Sequence, residues 1–414
     1  NQGNFGADGI VGPHHEKEGS YYTIKQLWSP VQIMNTSINK QFDGKFSVEN
    51  RYDYLNLNTC RFLWKQVKFP LATDASNAAI QVLKEGEVQG SDVVAHSAGI
   101  LDIKTNILPN ADALFLTAID PYGHEQLSPL SSRPAYTETE NELTVKANKR
   151  TFIFSKKDGQ LKGVSVDNRK ISFANGPRFI GARRADRSLD QFYNHDDEKA
   201  KEKDRTYSEF PDAAVFTKLD VKEDGGNLVV TANYKLGNLD KTQWTINPSG
   251  ELALDYTYNF SGVVDLMGIR FDYPEDQVIS KRWLGAGPYR VWQNRIHGTQ
   301  YDVWENDYND PISGETFTYP EFKGYFGDVS WMNIQTKEGT ISLTNETPDA
   351  YIGVYQPRDG RDRLLYTLPE SGISVLNVIP PVRNKVNSTD LCGPSSQPKW
   401  VNGPQTGRVI FRFT

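Results

Sequence analysis

The residues best suited to chemistry crowd between Trp283 and Tyr308, where Trp283, Tyr289, Trp292, Arg295, Asp302, Trp304 and Glu305 fall close together. Indole and phenol faces stack on the apolar faces of pyranose rings, and carboxylates and a guanidinium hydrogen-bond hydroxyls. The mixture therefore fits a sugar-binding surface with Trp283, Trp292, Arg295 and Trp304 at its centre. The same residue types also suit a second role, anchoring a sandwich through buried indoles. Carboxylates gather again at His195-Asp196-Asp197-Glu198 and from Asp302 to Asp310, but spacing pairs none of them, and charge runs are usually solvated loops. His14, His15, His96, His124, His195 and His297 fall into no metal-ligand spacing. Cys60 and Cys392 are the two cysteines, too few for a disulfide framework; Cys60 lies in an alternating pattern and reads as a small buried side chain.

The elements that must carry these residues are mostly strands. The start of the chain is the exception. Gly3, Gly6, Gly9 and Gly12 surround Phe5, Ile10 and Val11, as in a tight strand or loop turning at Pro13. Tyr21, Ile24, Leu27 and Trp28 then recur at spacings of three and four before Pro30, which predicts a helix from about Glu16 to Ser29. From Val31 to Leu127 short alternating runs, at 31–33, 45–50, 60–65, 98–103 and 113–119, predict a sandwich of roughly seven strands. Residues 128–140, rich in Pro, Ser and Thr, read as a linker. From Asn141 to Thr414 strands are signalled at 152–155, 161–166, 227–234, 243–246, 251–260, 340–344 and 408–413. No convincing helix interrupts them, so one large antiparallel sandwich is expected.

At 414 residues the chain exceeds one ordinary domain of about 100–200 residues, so two domains plus a remnant are expected. A net charge of −6 supplies no basic field, which argues against nucleic acid or an anionic membrane surface as partner. No apolar run reaches the roughly 18 residues of a membrane helix. The sequence begins at Asn1 rather than Met, as a fragment would.

Several motifs resemble glycoside hydrolase family 2, the long bacterial β-galactosidase type. Asn4-Phe5-Gly6-Ala7-Asp8-Gly9-Ile10-Val11 and Tyr22 to Val31 resemble the last βα unit of that family's catalytic barrel. Asn50 to Asn58 resembles a segment of its immunoglobulin-like domain, and Trp283-Leu284-Gly285-Ala286-Gly287-Pro288 through Asn294-Arg295 resembles a block of its closing supersandwich. The resemblance implies a mainly β chain: a barrel remnant at 1–30, an immunoglobulin-like sandwich at 31–127, a linker at 128–140 and a supersandwich at 141–414. Such a chain is the C-terminal region of a larger retaining glycosidase. Both catalytic glutamates of that family stand on barrel strands, which would precede Asn1, so the chain is expected to be inactive alone.

What the resemblance carries over is the edge of a sugar pocket. Phe5 and Asp8 match a loop beside the substrate and a sodium ion; Asp8 stands where Asn is usual, adding a charge and removing a donor. Asp390 and Cys392 match a loop whose tryptophan forms a sugar platform, and Cys392 occupies that platform position. The segment from Gly176 to Asp186 is an eroded match to a further block. Implied partners are a β-linked glycan or glycoside and the missing barrel. Implied cofactors are none for this chain, with magnesium and sodium for the parent enzyme. An independent carbohydrate-binding module is the alternative reading.

Overall fold

A computed structural model describes residues 28–34, 42–68, 80–108, 111, 113–119, 135–147, 149–184, 207–224, 227–247, 249–307, 324–354, 369–381 and 393–414. The expected barrel remnant, save Trp28 to Pro30, lies outside them, as do Phe5, Asp8, Asp390, Cys392 and His195 to Glu198. Trp28 stands in a turn and is exposed. The chain is mainly β, and its helical turns among the described residues are short 3-10 pieces. It forms two compact units, one spanning Ser20–Leu130 and one whose described residues lie within Ser131–Thr414.

In the first unit two three-stranded antiparallel sheets face each other. One is ordered Val31–Ile33, Lys45–Asn50, Ser97–Asp102; the other is Gln81–Gln89, Arg61–Lys68, Ala113–Ile119. Phe46, Val48 and Leu101 from the first sheet meet Phe62 and Trp64 from the second, and buried Cys60 joins them. The strand Gln81–Gln89 escapes the sequence reading because Lys84, Glu85 and Glu87 leave it without an apolar face. Gly86 lies opposite Trp64, whose indole occupies the space a Cβ would need. Two fully buried amides close the loops. Asn50 donates to the carbonyls of Leu55 and Val93, each at 2.8 Å, and accepts from the Tyr52 N–H at 3.0 Å. Gln66 donates to Asn106 O at 2.7 Å and accepts from Leu108 N at 2.7 Å.

The second unit is a sandwich of a ten-stranded and a nine-stranded antiparallel sheet. The nine-stranded sheet runs Val215–Asp224, Asn227–Lys235, Leu239–Ile246, Leu252–Val264, Lys399–Phe413, Gly339–Asn345, Trp331–Thr336, Val278–Gly287, Gln300–Asp307. The last strand of the chain therefore sits mid-sheet, paired with Leu252–Val264 through thirteen consecutive residue pairs from Leu252↔Phe411 to Val264↔Lys399. Val215–Asp224, at one edge among the described strands, alternates Lys218, Asp220, Lys222 and Asp224 on its exposed positions. The ten-stranded sheet contributes Ala174–Arg184, Leu266–Asp272 and Ile373–Val378 to the middle of the sandwich. The strand Ala135–Glu138, within the stretch read as linker, pairs with Glu142–Ala147 at its edge.

Period-two alternation drives this packing, because successive side chains of a strand point to opposite faces. Leu252, Leu254, Tyr256, Tyr258 and Phe260 are buried on one face of their strand, while Asp255, Thr257, Asn259 and Ser261 stand on the other. Phe173 lies 4.6 Å from Phe271, 5.0 Å from Phe411 and 5.3 Å from Phe413, ring centre to ring centre, joining the two sheets through aromatic contact. Polar ties span the same gap: Tyr258 Oη donates to Asn377 Oδ1 at 2.7 Å, and Glu338 accepts from Ser172 N, Ser172 Oγ and Tyr273 Oη.

Replacing Asn50 with Ala removes three side-chain hydrogen bonds, although Val93 O keeps its bond from the Leu57 N–H at 3.0 Å. A hydrogen bond of this kind contributes about 0.5–1.5 kcal/mol, so Asn50→Ala is expected to lower unfolding free energy by about 1–3 kcal/mol, read from the urea midpoint at unchanged m-value.

Candidate functional site

The described segment from Trp283 to Asp307 does not form one surface. Trp283 is fully buried, T-stacked on Phe326 at 4.9 Å with its Nε1 donating to Ala286 O at 3.0 Å. Trp304 stands directly opposite it on the next strand, half-buried, with Nε1 on Gly285 O and Gln300 O. Trp292 belongs to a separate apolar cluster with Ile180, Leu266, Val291, Tyr325 and Leu376, and is 3% exposed. An indole with no open face cannot stack on a sugar ring, so the platform reading of Trp283 and Trp292 gives way to the anchoring one. Arg295 is half-buried, and its backbone N–H closes a tight turn onto Trp292 O at 2.8 Å.

That turn does hold something the sequence did not single out. Gln293, nearly buried, donates its backbone N–H to Pro380 O at 3.0 Å and its Nε2 to Ser395 O at 2.9 Å and Gln397 O at 2.7 Å. Asn294 Nδ2 adds a bond to Ser396 Oγ at 3.1 Å. One residue thus ties both flanks of the stretch 382–392, which carries Asp390 and Cys392: its backbone N–H holds Pro380 and its side chain holds Ser395 and Gln397. Gln293 stands just before Asn294-Arg295 in the motif, where a single glutamine carries no local signal of burial.

A second feature lies on the outer face of the nine-stranded sheet. A cleft of about 360 Å³ is lined by Lys241, Gln243, Asp255, Thr257, Thr406 and Arg408 on three adjacent strands, with Glu346 and Pro348 at its rim. Arg408 Nη1 pairs with Asp255 at 2.5 Å and its Nε with Glu346 at 2.9 Å. Burial alone would lower the guanidinium's pKa, but these two carboxylates hold it above its ordinary value. Both carboxylates are engaged by the same cation, so this constellation offers no separated acid and base. Tyr256 passes beneath Gly407, where a Cβ would lie 2.2 Å from its Oη, and burial pushes its phenol up to about 12.

On the ten-stranded sheet Arg178 stands opposite Arg270, an arrangement that needs anions nearby. Arg178 pairs with Asp272, and Arg270 donates to Glu370 O. Burial first, then Arg178, lowers the Arg270 pKa, with Asp272, Glu209 and Asp212 opposing. Among the described residues, no group of three or more His, Cys, Asp and Glu is placed to hold a metal ion.

Two large antiparallel sheets closed on an aromatic core define a β-supersandwich. Residues 146–379, more than half of the chain, match the family described as beta galactosidase small chain, and the chain belongs to that family. It is 22% identical over 378 residues to a beta-galactosidase of Priestia megaterium (strain DSM 319 / IMG 1521), covering 84% of this chain. The chain spans about a third of that curated relative's length (34%). Among solved structures it is similar to the galactose 1-epimerase of Lactobacillus acidophilus NCFM, at 9% identity and TM-score 0.37, covering 69% of this chain and 99% of that one. The GalM/aldose epimerase homologue of C. elegans aligns at 8% identity and TM-score 0.28, with 69% and 99% covered.

Two outcomes follow from this geometry. Gln293→Leu removes two half-buried hydrogen bonds, and amide exchange in residues 393–397 is expected to accelerate roughly tenfold or more, with the strand Leu252–Val264 unchanged. Tyr256 ionises near pH 10 when unfolded and near 12 when folded, so the folded chain retains a proton that the unfolded chain loses. Stability is therefore intact below pH 10 and falls as pH rises toward 12. Tyr256→Phe should flatten that fall by about 1.4 kcal/mol per pH unit in urea titrations.

Proposed function

We propose that this chain is the non-catalytic C-terminal region of a family 2 glycoside hydrolase of β-galactosidase type, supporting and partly lining the active site of the larger enzyme. The observation that carries the reading is the family match over residues 146–379, together with a β-galactosidase relative aligned along most of this chain and about a third of its own length. Retaining hydrolysis of a β-linked glycoside needs two carboxyl groups about 5–5.5 Å apart. In this reading the catalytic barrel, the partner of the present chain, supplies both.

The chain's own contribution is shape and polarity at the pocket's edge. Gln293 supports it by fixing the flanks of 382–392, from which Asp390 and Cys392 would face the sugar. Cys392 offers no broad π-face, so the subsite it borders would bind its ring more weakly than an indole platform does. Phe5 and Asp8 would border the opposite side, Asp8 giving a carboxylate oxygen to sodium; magnesium would belong to the barrel.

The purified 414-residue chain is expected to leave a chromogenic β-galactoside unhydrolysed. Joined to a barrel of this family, it should restore turnover, and Gln293→Leu in the joined protein should raise KM severalfold. Hydrolysis by the chain alone, abolished by substitutions within it, would overturn the reading.

A further inference from the structure

The paired strands Leu252–Val264 and Lys399–Phe413 run past their neighbours. Leu239–Ile246 pairs only as far as Tyr258, and Gly339–Asn345 only from Val409 onward. Among the described strands the pair continues beyond those points as a two-stranded ribbon, whose outer face carries Trp400, Asn402 and Pro404, all exposed, opposite Val263, Ser261 and Asn259; exposed Thr406, opposite Thr257, follows in the same row. The next pair in the same row is Arg408 opposite Asp255, which lines the cleft.

Trp400 is 71% exposed at the far end of this row, whereas Trp244, Trp283, Trp292 and Trp331 are buried. An indole this exposed offers a free face on which a ring can stack. Its surroundings select the contact. Ser261 Oγ donates to Asn402 Oδ1 at 2.8 Å, and Asn259 Nδ2 donates to Asp240 Oδ2 at 2.8 Å, so these polar side chains are held in place before any ligand arrives. Pro404 adds an apolar ring between them. The charges of the cleft cancel, Arg408 and Lys241 against Asp255 and Glu346, which leaves little attraction for an ion. An aromatic face followed by fixed hydroxyls and amides and a charge-balanced cleft suits a neutral ligand whose rings have one apolar face and many hydroxyls. From Trp400 to Thr406 the strand covers about 20 Å, at roughly 3.3 Å per residue, more than one sugar ring fills.

We propose that this outer face, from Trp400 to the Arg408 cleft, is a binding site for an extended neutral oligosaccharide, with Trp400 stacking on one ring and the cleft receiving a more distant one. The site needs no residue of 382–392 and no catalytic region, so it stands or falls apart from hydrolysis.

Acrylamide quenching of the whole 414-residue chain tests it, with β-1,4-linked tetraoses of galactose, glucose and mannose as probes. At least one tetraose is expected to shield a tryptophan. The shielding should persist in Trp28→Phe, the other highly exposed indole, and weaken about tenfold or more in Trp400→Ala. Asn402→Ala, an exposed change that leaves the fold intact, should weaken it severalfold. Galactose and a sulfated tetraose should bind at least tenfold more weakly than the neutral tetraose. No shielding by any of the three tetraoses, undiminished binding in Trp400→Ala, or tighter binding of the sulfated probe would each overturn the proposal.

Discussion

The thirteen-pair register between Leu252–Val264 and Lys399–Phe413 is the constraint on which the sandwich depends. A slip by one residue would turn Leu254, Tyr256, Tyr258, Val409 and Phe411 toward water and Asp255, Thr257 and Arg408 into the core. The inner face fixes the register through aromatic packing with Phe173 and Phe271. The outer face inherits its order from the same pairing. Asp255 meets Arg408 because they are opposite residues of that register, and Glu251 meets Arg412 four residues away for the same reason. Surface chemistry on this sheet is thus a by-product of how the core is closed.

Much of this was legible in the sequence because strand alternation is a local signal. Phe152–Ser155 with Leu161–Val166, Ala113–Ile119 and Asn227–Tyr234 all lie where the pattern put them. Leu252–Val264 and Lys399–Phe413 run longer than read, since Ser261 and Gly262 on one, and Asn402, Gly403 and Pro404 on the other, lack strong strand propensity and are held by each other. Gln81–Gln89 and Ala135–Glu138 were hidden because edge strands bury little and so need no apolar periodicity. Composition found Trp283, Trp292 and Trp304 but not their surroundings: an indole's value to a ligand depends on its free face, and the fold spends two of these three on its interior.

The polar residues that matter most were the least readable. Asn50, Gln66 and Gln293 look like surface residues in a one-dimensional reading, yet each is buried and each closes backbone groups that strands leave open at their ends. Their partners lie up to 104 positions away, as Gln397 does from Gln293. No short window contains both ends of such a bond. Sugar-facing loops are expected to rely on such closures, because a loop can present a side chain reproducibly only when its backbone is tied at both ends.

The edge strand Val215–Asp224 bears on how the protein behaves in a crowded solution. An exposed strand edge offers N–H and C=O groups that a second chain could extend into a continuous sheet. Lys218, Asp220, Lys222 and Asp224 surround that edge with hydrated charge of both signs, with Lys218 against Asp220 and Lys222 against Asp224. Stacking another strand there would strip their water, a cost that polymerisation must overcome at every added copy. Hydrated charge along its rim is enough to keep a sheet of nine described strands finite.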